Sequence, residues 1–107
     1  MNTINYITVE ELNLLREKEP TCQIVDVREV PEYQYVRISG SKLVPLSEFE
    51  QKMNVIKNDT PAYFLCGIGK RALKAAEHLA SCGYKNLFVI EGGIKAWLEA
   101  GYPVEQG

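Results

Sequence analysis

The chain has 107 residues, 46% hydrophobic and 24% charged, a length and balance that suit one folded domain over residues 1–107 and argue against disorder. A formal net charge of −2 makes no field that would seek nucleic acid or an anionic membrane surface, so neither is expected as a partner. The three cysteines are odd in number and form no C-x-x-C pair, which argues against a disulfide framework and a zinc site.

No stretch approaches the ~20 apolar residues of a membrane span. Met1 to Asn5 carry neither a basic region nor an apolar run, so no leader is expected and a reducing cytoplasm is the expected location. Cys22 and Cys82 then read as small buried hydrophobes at the edges of a strand and a helix.

Ile4 to Ile7 opens the chain as a short strand. Thr8 and Glu11 have the spacing of a capping box, and Val9, Leu12 and Leu15 share one face of a helix that ends before Pro20. Gln23 to Val27 is apolar but for Gln23 itself and Asp26, which suits a strand covered on both faces. Pro31 opens a helical turn through Tyr35. Lys42 to Val44 is another strand, stopped by Pro45, and Ser47 is placed to cap a helix running to about Met53, with Leu46 and Phe49 on its apolar side. After the turn Asn58 to Pro61, a strand from Ala62 to Leu65 runs straight into Cys66. The next helix has Ala72, Ala76, Leu79 and Ala80 along one stripe, Lys74, Glu77 and His78 outward, and Gly83 as its C′ residue. Leu87 to Ile90 is the last strand. Gly92-Gly93 turns into a helix with Ile94, Trp97 and Leu98 on its core face, closed by Gly101. Strands and helices alternate from end to end, so the fold class is α/β, a parallel sheet covered on both faces. Ligands of such sheets bind beyond the carboxyl ends of the strands, where Cys66 and the segment from Asp26 to Arg28 both fall.

Chemistry concentrates in Cys66-Gly67-Ile68-Gly69-Lys70-Arg71. A cysteine between a strand end and a helix N-terminus stands among backbone N–H groups, which favour its thiolate and any anion that it attacks or carries. Lys70 and Arg71 add two positive charges. Three anion-binding patterns overlap here, and spacing separates them. The phosphate loop G-x-x-x-x-G-K-[ST] fails, because Phe64 stands at its first glycine and Arg71 at its hydroxyl position. Cysteine phosphatases place five residues between cysteine and arginine; four separate Cys66 from Arg71, one short of the loop that wraps a phosphate. Gly67-Ile68-Gly69-Lys70-Arg71-Ala72 does satisfy the dinucleotide fingerprint, with Glu91 near the ribose-binding position. Too little chain follows Glu91 to build the rest of that fold.

Other pieces line up in order along the chain: Asp26-Val27-Arg28-Glu29, Glu32-Tyr33, Ile38-Ser39-Gly40-Ser41 leading into Val44-Pro45-Leu46, the Cys66 to Arg71 loop, Gly83-Tyr84, Glu91-Gly92-Gly93 with Trp97, and Gly101-Tyr102-Pro103-Val104. With these the chain resembles the rhodanese-like sulfurtransferase domain over nearly its whole length. The resemblance implies a five-stranded parallel sheet with helices on both faces and a six-residue active loop that begins at the catalytic cysteine. It implies that Cys66 attacks the outer sulfur of a donor such as thiosulfate or a persulfide, becomes a persulfide, and hands the sulfur to a thiophilic acceptor. A protein persulfide donor or acceptor is the macromolecular partner implied, and no cofactor or metal is. The chain departs from the family's pattern at Val36-Arg37, where many members have Gly-His, and at Ala72, where Ser or Thr is common; both bear on rate and donor choice.

Within that reading Cys66 is the nucleophile and persulfide carrier, and Gly67 and Gly69 allow positive φ and close backbone approach around Ile68. Arg71 orients an anionic donor through paired N–H groups, and Lys70 favours the thiolate from the rim. Asp26 and Arg28 form a charge pair that shapes the loop wall rather than touching substrate. His78 is a surface residue, since a thiolate is already charged and needs no separate base. Two other readings stand beside this one: a non-catalytic rhodanese-like module that binds a partner, and a cysteine-dependent phosphatase or arsenate reductase.

Overall fold

Apolar runs bounded by prolines and glycines set the frame. In a computed structural model, which describes residues 4–107, the chain runs β1 (Ile4–Ile7), α1 (Val9–Lys18), β2 (Gln23–Asp26), α2 (Val30–Tyr35), β3 (Val36–Arg37), β4 (Lys42–Leu43), α3 (Phe49–Lys52), β5 (Ala62–Leu65), α4 (Lys70–Ser81), β6 (Leu87–Ile90), α5 (Gly93–Glu99) and β7 (Glu105–Gln106). The reading of a missing leader rests partly on Met1, Asn2 and Thr3, which lie outside the described residues. Five strands pair in parallel in the order β1-β6-β5-β2-β4, with β5 at the centre. This is the α/β sheet that the alternation predicts. No described helix is long and apolar enough to cross a membrane.

Successive strand residues point to opposite faces, and the core divides accordingly. Val25, Phe64 and Val89 pack with Phe49 of α3 and with Ala72, Ala76 and Leu79 of α4. Ile24, Leu65 and Ile90 pack on the other face with Leu12 of α1 and Trp97 of α5. Phe64 and Leu65 are adjacent and both fully buried, and burying one such side chain contributes roughly 1.5–3 kcal/mol. The helix ends follow the sequence closely. Glu11 N–H donates to Thr8 Oγ1 at 3.1 Å and Thr8 N–H to Glu11 Oε1 at 2.9 Å, a complete capping box. At the end of α4, Tyr84 N–H reaches Leu79 O and Gly83 N–H reaches Ala80 O, both at 3.0 Å, around Gly83 at φ +92°. That is a Schellman turn.

Four expectations give way. Ser47 does not cap a helix: its hydroxyl donates to Glu29 Oε1 at 2.5 Å, and the segment winds as a 3₁₀ turn (Leu46–Glu48) before α3. Leu98 is 44% exposed, because α5 is short and buries only the narrow stripe of Gly93, Ile94 and Trp97. Cys82 occupies the C-cap of α4 and is exposed, whereas Cys22 is half-buried against the α1–α5 side of the core. His78 is only half outward; its ring meets the edge of Phe49 at 5.9 Å, and Nε2 lies 4.0 Å from Glu50. The structure also adds an antiparallel ribbon of β3 and β7, tied by the ion pair of Arg37 with Glu105 at 3.4 Å.

Candidate active site

Cys66 follows the central strand at its carboxyl end and is buried. Beyond it the chain reverses through Gly67 to Gly69 and enters α4, with Gly69 as N-cap at φ +115°. No side chain on the N-cap can satisfy the free N–H groups of the first turn. The Cys66 sulfur does so instead: Gly69 N–H donates to Sγ at 3.0 Å and Ala72 N–H at 3.3 Å. The sulfur is therefore the cap of α4, at the positive end of the helix dipole. A negative charge on that sulfur keeps both hydrogen bonds and is favoured by them.

The loop's carbonyls are met from the opposite side. Ile94 N–H donates to Cys66 O at 2.8 Å and Lys95 N–H to Gly67 O at 3.2 Å, so the first turn of α5 closes over the loop backbone. The approach is close enough that a Cβ on Gly93, itself at φ +58°, would lie 2.5 Å from Gly67 O and nearer still to Cys66 O. Sequence reading takes Gly92-Gly93 only as a turn. Its signal is that the pair follows β6, the strand beside β5, and starts a helix at the height of the loop.

Arg71 and Lys70 part company. Arg71 Nη1 donates to Glu32 Oε1 at 2.7 Å and Nη2 to Glu32 Oε2 at 3.0 Å. The hydrogen bonds from Arg71 hold the Glu32 carboxyl down at about 2, and Glu32 in turn raises the Arg71 guanidinium. The paired N–H groups expected to meet a donor are thus turned to a carboxylate of α2. Glu32 escapes a reading of local sequence because its partner lies 39 positions away. Lys70 is exposed and makes no ion pair among the described residues. Ile68 is 59% exposed beside it. A depression of about 260 Å³ adjoins the loop, lined by Tyr6, Ile68, Lys70, Leu73 and Glu91 among others.

Asp26 and Arg28 are buried together beneath this arrangement. Arg28 Nη2 lies 2.8 Å from Asp26 Oδ2, and both Nε and its own N–H reach Asp26 Oδ1 at 3.0 Å. Nη2 also donates to Val36 O at 2.6 Å and Nη1 to Glu32 O at 3.4 Å. The pair spends its hydrogen bonds on the backbone of α2 and β3, and so holds the segment on which Glu32 stands.

A doubly covered parallel sheet that seats a cysteine sulfur among backbone N–H groups, at the carboxyl end of its central strand, defines an α/β protein with a cysteine-centred loop. The chain belongs to the rhodanese-like domain family, whose model matches residues 8–100. It is 36% identical over 76 residues to the uncharacterised protein YqhL of Bacillus subtilis, covering 71% of this chain and 60% of that one. With the putative sulfur carrier protein YrkF of the same organism it shares 28% identity over 96 residues, 90% of this chain and 52% of the relative. The chain thus spans little more than half the length of these two relatives. It is also 28% identical to the thiosulfate sulfurtransferase GlpE of Pseudomonas fluorescens, over 98% of this chain and 94% of the other. Among solved structures, a rhodanese-related protein from Thermoplasma volcanium matches with a TM-score of 0.83 at 33% identity, over 94% of this chain and 97% of that one. A Rhodopseudomonas palustris protein of unknown function, RPA3614, named as a possible tyrosine phosphatase, matches with a TM-score of 0.86 at 28% identity, over 95% and 85% of the two chains.

Proposed function

We propose that the protein is a sulfurtransferase in which Cys66 takes a sulfane sulfur from thiosulfate or a persulfide, holds it as a persulfide, and passes it to a thiophilic acceptor. Relatives named for thiosulfate sulfur transfer and sulfur carriage support rhodanese-type sulfur transfer in broad terms. The observation that carries the specific reading is the pair of N–H donors, from Gly69 and Ala72, aimed at Cys66 Sγ itself. With thiosulfate, the thiolate attacks the outer sulfur; the new S–S bond forms as the old one breaks, and sulfite leaves with the bonding pair. Charge balances, and no base, oxidant or metal enters the step. The bound sulfur then lies at the helix N-terminus, where its negative charge is stabilised. Asp26 and Arg28 support the loop from behind, and the backbone of the loop Gly67, Ile68, Gly69, Lys70 and Arg71 wraps the bound sulfur.

A phosphatase or arsenate reductase needs donors spread around several oxygens of a tetrahedral anion. Here four residues separate Cys66 from Arg71 and the Arg71 fork is engaged by Glu32, which favours a seat for a single atom. A module that only binds a partner has no use for the nucleophile. Treating the protein with thiosulfate or glutathione persulfide should add the mass of one sulfur atom, located by peptide mapping to Cys66 and absent from Cys66→Ser. Subsequent cyanide should release it as thiocyanate. An unchanged mass at Cys66 with both donors refutes the proposal.

A further inference from the structure

The approach to Cys66 carries little unbalanced charge. Arg71 is matched by Glu32 through two hydrogen bonds, at 2.7 and 3.0 Å. Glu32 Oε1 is fixed in addition by Glu29 N–H at 3.0 Å, so the carboxylate belongs to the start of α2 and does not swing freely. Lys70 shares the lining of the adjoining depression with Glu91. The rest of that depression is largely apolar, with Ile68 59% and Tyr6 54% exposed. A dianion approaching a thiolate needs a net positive field to offset its repulsion. This mouth offers it two cations against two carboxylates.

We infer that Glu32 determines donor specificity: by binding Arg71 it withholds positive charge from the mouth of the site, which makes a thiol persulfide, rather than the thiosulfate dianion, the donor that the site selects. The inference rests on the sulfur-transfer reading above. In the step, the Cys66 thiolate attacks the outer sulfur of R–S–SH. The new S–S bond forms as the R–S to sulfur bond breaks, R–S⁻ leaves with the electron pair, and Cys66 holds S–SH. One negative charge enters and one leaves, with no net oxidation and no third reactant. The reacting S–SH group arrives uncharged, so at the reacting centre it gains less from a free guanidinium and loses less to Glu32 than a dianion does, while the donor's organic part meets Ile68 and Tyr6.

Glutathione persulfide and thiosulfate serve as the two probes, with wild type, Glu32→Gln, Arg71→Gln and the double variant. Glu32→Gln keeps the side chain's length and an acceptor for Glu29 N–H, and removes the charge together with one of the two oxygens that accept from the Arg71 fork. Wild type should show kcat/KM about tenfold or more higher with glutathione persulfide, a margin of the size a single charge near a protein surface supplies. In Glu32→Gln the KM for thiosulfate should fall roughly three- to tenfold, with the persulfide constants within about twofold and no such fall in the Arg71→Gln background. A binding measurement independent of turnover runs alongside: in Cys66→Ser, adding Glu32→Gln should tighten thiosulfate binding by a similar factor. In wild type, where no variant is involved, raising the salt concentration should leave KM for thiosulfate nearly flat. The inference is overturned if thiosulfate is the better wild-type donor, if Glu32→Gln weakens both donors alike, or if wild-type KM climbs steeply with salt. Failure of both donors to load Cys66 would instead remove the sulfur-transfer reading itself.

Discussion

Replacing Gly93 by alanine tests whether α5 holds the sulfur loop in place. An L-residue at φ +58° costs roughly 1–2 kcal/mol for its left-handed backbone alone. The new Cβ would also lie 2.5 Å from Gly67 O and still closer to Cys66 O, both backbone atoms that cannot rotate away. The first turn of α5 must then withdraw from the loop, which breaks the hydrogen bonds from Ile94 to Cys66 O and from Lys95 to Gly67 O. Each is worth about 0.5–1.5 kcal/mol net, so the whole loss is about 2–5 kcal/mol. Gly101 supplies the control. It has φ +77° and nothing within 4 Å of its Cβ position, so Gly101→Ala carries the backbone cost without the clash. Urea unfolding at a shared m-value should place Gly93→Ala below Gly101→Ala by roughly 1–3 kcal/mol. Persulfide loading of Cys66, followed by intact mass, should slow in the first variant and not in the second. Equal stability losses, or wild-type loading in Gly93→Ala, would show that α5 does not brace the loop.

Asp26→Asn leaves the Arg28 guanidinium buried without its counter-charge, and should cost about 3–5 kcal/mol by urea unfolding; a loss under about 1 kcal/mol would mean that the pair is reached by water. Glu32 sets a pH dependence. Its carboxyl is lowered from 4.5 to about 2, so the stabilisation is fully present above 4.5 and is lost as pH falls through about 2. The pair is part-exposed, 36% and 41%, so its worth is small and screened. The stability gap between wild type and Glu32→Gln should therefore narrow across that window, and a gap independent of pH would contradict the ion pair.

Much of the frame is legible because its signals are local. Ala62 to Leu65 is an unbroken apolar run, Thr8 and Glu11 supply both halves of their own cap, and Gly83 ends α4 with partners no more than five residues away. What escapes is non-local. β3 and β7 are two residues each, too short to carry a period, and pair Arg37 with Glu105 across most of the chain. Ser47 has the right identity for a cap, yet Glu29, 18 positions earlier, takes its hydroxyl. The site divides the same way. Strand, cysteine, glycines and helix are contiguous and point to a sulfur among N–H groups. The partner of Arg71 and the brace from Gly93 exist only once the sheet has brought β6 and α2 to the loop.

That division bears on what can vary at the site without loss of chemistry. Every hydrogen bond to Sγ and to the loop carbonyls of Cys66 and Gly67 comes from a backbone N–H, of Gly69, Ala72, Ile94 and Lys95. Such donors persist through any substitution except proline, so Ala72 in place of a hydroxyl residue keeps its contribution to the sulfur through its own N–H. Side-chain identity is constrained where a Cβ would collide, as at Gly93, or where φ is positive, as at Gly69. Ile68, Lys70 and Arg71 are under neither constraint: the first two are exposed and the third is committed to Glu32. Exchanges among those three positions should therefore change which donor reaches Cys66 while leaving the seat for its sulfur intact.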